Sequence, residues 1–310
     1  MKRRKFIQYS GLASGLGLLH KQAFSSTLFQ HEEIKKLVIL HTNDVHSHIE
    51  PFPLNDPKHP GEGGFAKRAA LIQKIRSEEK NVLVLDAGDI FQGTPYFNFY
   101  GGELEFKLMS KMQYDAATLG NHDFDNGIEG LVKQLPHASF PFVNCNYDFR
   151  DTALHKNVKP FIIKKIDGLK VGILGVGVEL DGLVDKRLTG EIQYQDPIKK
   201  ANEIAKILKK EFHCNLVICL SHLGFEYAAA KVSDKILAAS SENIDLIIGG
   251  HTHTFLNEPV SIKNKAGAEV LVNQVGWAGI YMGRLDYYFN QKNDLVTTHN
   301  DLYKIFRKTI

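Results

Sequence analysis

Seven side chains with oxygen or nitrogen donors stand in five short polar clusters of this sequence, and none of the clusters contains sulfur. Asp44 and His46 lie in His41-Thr42-Asn43-Asp44-Val45-His46-Ser47-His48. Their spacing of two puts both side chains on one side of an extended segment, where they can share an ion. Asp89 ends Asp86-Ala87-Gly88-Asp89; the glycine permits a tight turn, and a carboxylate with two oxygens can bridge two ions. Asn121, in Gly120-Asn121-His122-Asp123-Phe124-Asp125, offers an amide oxygen. His222 follows Ser221, while His251 and His253 alternate in Gly249-Gly250-His251-Thr252-His253. Oxygen and imidazole ligands in a mixed set suit two divalent ions such as zinc, manganese, iron or cobalt, held for catalysis rather than for structure.

These clusters need elements that bring them together. Short β-branched runs at 37–41, 82–86, 115–119, 141–144, 215–220 and 244–249 read as buried strands, and each of the five clusters falls at or just beyond the end of one. Phe65, Ala69, Ile72 and Ile75 recur at helical spacing. Asp196 as N-cap, Pro197 at the first helical position and the series Ile198, Ala201, Ala205, Leu208, Phe212 predict a second helix. Asp167-Gly168 between 161–166 and 169–176 is a type I′ hairpin signal. Residues 269–274 and 280–289 read as two closing antiparallel strands. The alternation predicts one layered α/β domain over 34–310, in which strand ends line one edge and the clusters converge there.

Composition removes several other functions. Three cysteines with no paired short spacing exclude a disulfide scaffold and a thiolate zinc site. A balance of 38 basic against 35 acidic residues, with part of the excess in the first five residues, gives no argument for a nucleic-acid or anionic-membrane surface. Lys2-Arg3-Arg4-Lys5-Phe6-Ile7 and the weakly apolar residues 9–19 resemble a twin-arginine export signal. Residues 1–30 are therefore expected to be signal and linker, and the protein to be periplasmic or otherwise extracytoplasmic. A run of about 11 residues is too short for a transmembrane span, which takes about 20.

In order and spacing, four of these segments resemble the 5′-nucleotidase branch of the calcineurin-like metallophosphoesterases, across residues 37–283. They are Leu40-His41-Thr42-Asn43-Asp44-Val45-His46-Ser47-His48, Asp86-Ala87-Gly88-Asp89-Ile90-Phe91-Gln92-Gly93-Thr94-Pro95, Leu119-Gly120-Asn121-His122-Asp123-Phe124-Asp125 and Gly250-His251-Thr252-His253. The resemblance implies two mixed β-sheets packed as a sandwich flanked by helices, in a single domain. It implies a dinuclear metal-dependent phosphoesterase that hydrolyses 5′-nucleotides or related small phosphate monoesters, with a hydroxide bridging two divalent ions as nucleophile. Asp44, His46, Asp89 and His253 would hold the first ion, and Asp89, Asn121, His222 and His251 the second. His122 would stand at the phosphate without ligating, stabilising charge and assisting the leaving oxygen, with Asp125 fixing its ring; a histidine three residues before an aspartate can be oriented across a turn. The same core serves cyclic-nucleotide phosphodiesterases, UDP-sugar diphosphatases and a thiosulfohydrolase. The C-terminal nucleotide-binding domain of the family has no expected counterpart here. The expected partners are thus a small phosphate-ester substrate and, in place of that domain, a separately encoded substrate-binding chain; a catalytic-domain subunit dependent on such a chain, or a non-catalytic binding module for it, is the reading from another class.

Residues beside the clusters carry smaller expectations. His48 reads either as a third ligand or as a residue that supports the ligands. Asp86 is expected to accept backbone hydrogen bonds at its strand end, His41 to pack within a strand, and Cys214 and Cys219 to be inert core thiols. Phe91, Tyr96, Phe97, Phe99 and Tyr100 crowd one expected loop as core or sheet-covering aromatics, with substrate stacking open to one of them.

Overall fold

Apolar residues on both faces of the central strands dictate the layers. In the strand Lys35–Thr42, Leu37 and Ile39 join one buried cluster, while Val38 and Leu40 join another. Leu83 and Leu85 part from Val84 in Val82–Asp86, and Ile218 and Leu220 from Val217 and Cys219 in Leu216–His222. A strand apolar on both faces must be covered on both. The computed structural model, which describes residues 34–306, meets that demand with two sheets face to face and helices outside each. The basic N-terminal segment read as an export signal lies outside the described residues.

The seven-stranded sheet runs, in spatial order, Leu295–Lys304, Tyr281–Phe289, Lys35–Thr42, Val82–Asp86, Ala116–Ala117, Phe142–Val143 and Val158–Lys159. Its first three strands pair antiparallel and the rest parallel. The six-stranded sheet runs Val260–Lys263, Glu269–Asn273, Leu246–Gly249, Leu216–His222, Leu169–Gly177 and Phe161–Ile166, antiparallel at both edges and parallel between. Leu37, Ile39, Leu83 and Leu85 meet Val171, Ile173, Ile218 and Leu220 in the core between the sheets. The helices Phe65–Glu78, Glu103–Lys111 and Gly127–Gln134 roof the first sheet, and Pro197–Lys210 and Asp234–Ser240 the second.

Local signals act as expected where backbone chemistry is decisive. Asp167 and Gly168 both take positive φ, 52° and 80°, as a type I′ turn requires, and join antiparallel strands. Asp196 caps its helix by accepting from the N–H groups of Ile198 at 2.8 Å and Lys199 at 3.1 Å. Three expectations need correction. The Pro197 helix stops at Lys210, so Phe212 lies beyond it, exposed against the Phe161 ring. Glu269–Asn273 and Tyr281–Phe289 do not close one sheet together; they belong to different sheets, the first beside Leu246–Gly249 and the second between Lys35–Thr42 and Leu295–Lys304. Residues 95–100 form a helix rather than a loop, started by Pro95 and stopped by left-handed Gly101. Phe91 and Phe97 are buried there, and Phe99 and Tyr100 are exposed.

One partly buried ionic network ties helix to sheet. Arg284 donates to Asp286 at 2.7 Å and to Glu79 at 2.5 Å, while Lys36 reaches Glu79 at 2.6 Å and Asp286 at 2.9 Å. Burial works to raise the Asp286 pKa, but hydrogen bonds from Arg284 and Lys36 prevail and hold it below the usual range. That contribution is full above the unfolded aspartate value, about 3.9, and is lost as the pH falls through the lower folded value. Asp286→Asn should cost about 1 to 3 kcal/mol, less than a fully buried pair, because Lys36 and Glu79 are partly exposed and Glu79 still pairs both cations. Urea unfolding at pH 7 measures the loss, and titration to low pH should show less acid sensitivity in the variant than in the parent.

Candidate metal centre

The parallel strands share a direction, so the loops after Lys35–Thr42, Val82–Asp86 and Ala116–Ala117 meet those after Leu216–His222 and Leu246–Gly249 at one edge of the sandwich. The loops are locked to one another through their backbones. Asp44 N–H donates to Gly88 O at 2.9 Å, His46 N–H to Asp89 O at 3.0 Å, and Ser47 N–H to Ile90 O at 2.9 Å. The buried Asp123 carboxylate accepts from the N–H groups of Asp89, Ile90, Phe91 and Gly120 at 2.8 to 3.1 Å. A β-carbon on Gly120 would stand 2.2 Å from Asp89 Oδ1, so only glycine lets these two loops touch.

Five of the seven donors sit on left-handed backbone: Asp44 (φ 49°), His46 (50°), Asp89 (55°), His251 (74°) and His253 (52°). Asp44 and His46 therefore converge through a turn and not, as their spacing suggested, along an extended segment. Non-glycine residues hold such angles only where their surroundings over-determine them, and such strain gathers at functional sites.

Asp44, His46 and His253 form one group whose ligand atoms all lie within 4.8 Å of one another, and Asp89, His222 and His251 form a second. The Nε2 atoms of His46 and His253 face each other at 3.0 Å, and Asp44 Oδ1 lies 3.4 Å from His253 Nε2. Asn121 Oδ1 lies 2.8 Å from His251 Nδ1, which brings the amide to the second group. Asp89 Oδ2 stands between the groups, 3.1 Å from His222 Nε2 and 3.8 Å from His46 Nε2. His222 Nε2 is fully buried and, though near Asp89, has no hydrogen-bond partner. An orphaned ring nitrogen, two imidazoles meeting head-on and two buried carboxylates are the surroundings a cation satisfies, so this donor set fits two divalent ions.

The electrostatics separate the rings. Burial opposes charge on His222, but Asp89, and Asp44 beyond it, override it and lift the ring to about 10. Burial likewise opposes charge on Asp89, and the imidazoles of His222, His46 and His122 prevail, holding its pKa down. Burial lowers His46, and His251 to about 4, so that both rings are neutral with a lone pair to offer. Burial and then the neighbouring Asp89 charge raise Asp123 to about 7.

His122 borders both groups from the solvent side. Its N–H donates to Asp89 Oδ1 at 2.8 Å, its ring meets the His46 ring edge-on at 5.3 Å, and its Nδ1 lies 2.8 Å from Asp125 Oδ2. The Asp125 hydrogen bond raises its pKa. His122 and His253 remain 39% and 40% exposed while Asp44 and His222 are at 0%, so the centre opens on the side of those two rings.

The structure gathers all nine residues singled out from sequence at this edge. His48 joins neither group; it stacks on Phe52 at 4.8 Å and meets Trp277 edge-on at 5.3 Å. Asp86 accepts from Gly88 N–H and Thr42 Oγ1, His41 packs fully buried against Asn273, and Cys214 and Cys219 lie in the core. Sequence reasoning gave no role to Asp123, nor to Asn43, whose amide donates to Asp44 Oδ2 at 2.7 Å and to Gly276 O at 2.6 Å. Both lie inside the polar clusters, and a polar residue beside a ligand that neither ligates nor faces solvent is the available signal.

The calcineurin-like phosphoesterase family model matches residues 37–255. A snake venom 5′-nucleotidase of Crotalus adamanteus is 33% identical over an alignment of 281 positions that covers 84% of this chain and 46% of that one. The solved 5′-nucleotidase precursor of Thermus thermophilus superposes with a TM-score of 0.79 at 32% identity, over 87% of this chain and 54% of the other. The NAD nucleotidase of Haemophilus influenzae does so with a TM-score of 0.76 at 29% identity, over 88% and 50%. The chain spans about half the length of the curated relatives it matches. With its sandwich of mixed sheets and its paired histidine and aspartate groups, the chain belongs to the calcineurin-like phosphoesterase family and is related to its 5′-nucleotidases.

Proposed function

We propose that this protein hydrolyses 5′-nucleotides or related small phosphate monoesters at a dinuclear metal centre. The observation that carries the reading is the pair of donor groups with Asp89 between them and the His122–Asp125 pair on the open side. In the proposed assignment Asp44, His46, Asp89 and His253 hold one ion, and Asp89, Asn121, His222 and His251 the other. Bound there, two divalent ions supply charge neutralisation at phosphorus and an activated water. His122 gives its Nδ1 proton to the hydrogen bond with Asp125, which leaves Nε2 to face the ester oxygens and the departing alcohol. The likeness to a protein named as an NAD nucleotidase favours one second reading, cleavage of a diphosphate bridge.

Residues 34–310 are proposed as the catalytic domain, and residues 1–30 as an export signal and linker of the twin-arginine type that directs the protein to the periplasm or another extracytoplasmic location. The support for export is the basic start followed by a Gly/Ser-softened apolar run. Among the described residues no helix is long and apolar enough to cross a membrane.

A panel of nucleoside 5′-monophosphates, aryl phosphates, cyclic nucleotides and dinucleotides, assayed with the manganese-loaded full chain, tests the activity. Release of inorganic phosphate from the monoesters is expected; cleavage confined to dinucleotides would replace this reading with the second. Asp89→Asn should lower turnover by about 10² or more and leave fewer than two ions per chain by elemental analysis. Wild-type metal content and turnover in that variant would refute the bridging assignment. His122→Asn should lower kcat by about 10² and retain both ions, and a parallel loss of metal would make His122 a ligand instead.

A further inference from the structure

Three histidines turn Nε2 toward the Asp44 and Asp89 carboxylates, and two of them have their rings fixed from behind. His222 Nδ1 lies 2.7 Å from Ala87 O and His46 Nδ1 3.3 Å from Phe91 O. A ligand imidazole is normally oriented in this way, by a hydrogen bond through its other nitrogen. His253 is the exception. Among the described residues its Nδ1 has no acceptor, and its side chain is 40% exposed, against 9% for His46 and 0% for His222. An imidazole without that bond and open to water is free to turn about its ring bond and carry Nε2 away.

The indole of Trp277, the sole tryptophan of the chain, lies parallel to the His253 ring, 5.7 Å between centroids and 7° between planes. His48 and Phe52 hold the indole in turn, edge-on at 5.3 Å and 5.8 Å. The loop that carries it is fastened on both sides. Ala278 N–H donates to Asp44 O at 2.7 Å, Gly276 N–H to Thr254 O at 2.9 Å, and the Asn43 side chain bonds both Val275 N–H and Gly276 O. Ala278 holds φ at 55° between Gly276 at 79° and Gly279 at 63°, a backbone that persists only because those bonds fix it. So the indole is tied through its own loop to the residues on either side of the ring it covers.

We propose that Trp277 is a positioning residue for His253: by stacking, it does for this ring what backbone carbonyls do for His46 and His222, and it thereby sets the affinity of the ion held by Asp44, His46 and His253. A flat ring held parallel to the imidazole, 5.7 Å away between centroids, restricts rotation about the ring bond and keeps Nε2 aimed at Asp44. The electron-rich indole face also favours an imidazole polarised by a cation. His48 acts one step further out, as a brace for the indole, which gives that histidine a place without ligation.

The inference rests on the dinuclear reading, and the experiment separates the two. The full chain is stripped with chelator and titrated with cobalt(II), each dissociation constant being read by competition with a chromophoric chelator and the stoichiometry by elemental analysis. Trp277→Leu and Trp277→Met keep apolar volume without a flat ring, and Trp277→Phe keeps a ring. The expected result is two ions in the parent, one of them bound about 10- to 100-fold more weakly in the leucine and methionine variants, the other unchanged, and near-parental affinity in the phenylalanine variant. Fewer than two ions in the parent would overturn the dinuclear reading and this proposal with it. Two ions in the parent with unaltered affinities in the leucine and methionine variants would overturn only the role of Trp277. Loss of both ions together, or of the folded state, in either variant would mark Trp277 as structural and overturn the proposal as well.

Discussion

The carboxylate of Asp123 is the contact on which the metal edge depends. It is buried, it neither faces solvent nor enters either donor group, and it gathers four backbone N–H groups from two loops. Those bonds impose left-handed backbone on Asp89 and set the Gly88 and Gly120 loops in contact. The loop of Asp44 and His46 then hangs on the Asp89 loop by three further backbone bonds. Four of the nine site residues, Asp44, His46, Asp89 and Asn121, thus take their places from one side chain that touches none of the proposed ions. An aspartate suits this task because a carboxylate can accept at two oxygens from several directions, whereas an amide would set one donor against the N–H groups.

The histidines show a second level of the same logic. Burial keeps His46 and His251 neutral, and a carboxylate at 3.1 Å dominates His222. What distinguishes them is how each ring is steadied. Where the strand edge is close, a carbonyl of Ala87 or Phe91 does it; where the edge falls away toward solvent, at His253, an aromatic face takes over. The rigidity of the sheets therefore ends before the site does, and side chains from the loops complete it.

Much of this was legible in the residue pattern because periodicity and donor chemistry are local. Short continuous apolar runs set the strands, and Asp167-Gly168 and Asp196-Pro197 set a turn and a cap with little freedom for alternatives. Pairing partners were less legible. The strands near residues 270 and 285 have similar patterns, and only the packing of two separate sheets sends them apart. The left-handed turns at Asp44, His46, His251 and His253 were hidden for a related reason. These residue types have no intrinsic need for positive φ, and tertiary hydrogen bonds impose it. Trp277 carried no signal at all, since its ring acts through a contact 24 residues away in sequence from His253.

Apart from His251 and His253, the residues proposed to hold the ions are buried and fixed, and the part of a substrate that they could meet is the phosphate, which every phosphate ester presents alike. The half-exposed rings of His122 and His253 mark the side on which the proposed centre is open to a substrate. On that side the near surroundings are Trp277, His48 and Phe52 around one ring and Asp125 beside the other. One flank is thus aromatic and the other acidic. An alcohol group bound across this opening would meet flat apolar faces on one hand and a carboxylate-backed imidazole on the other, so that its planarity and its hydroxyls, rather than its phosphate, are what the exposed side can distinguish.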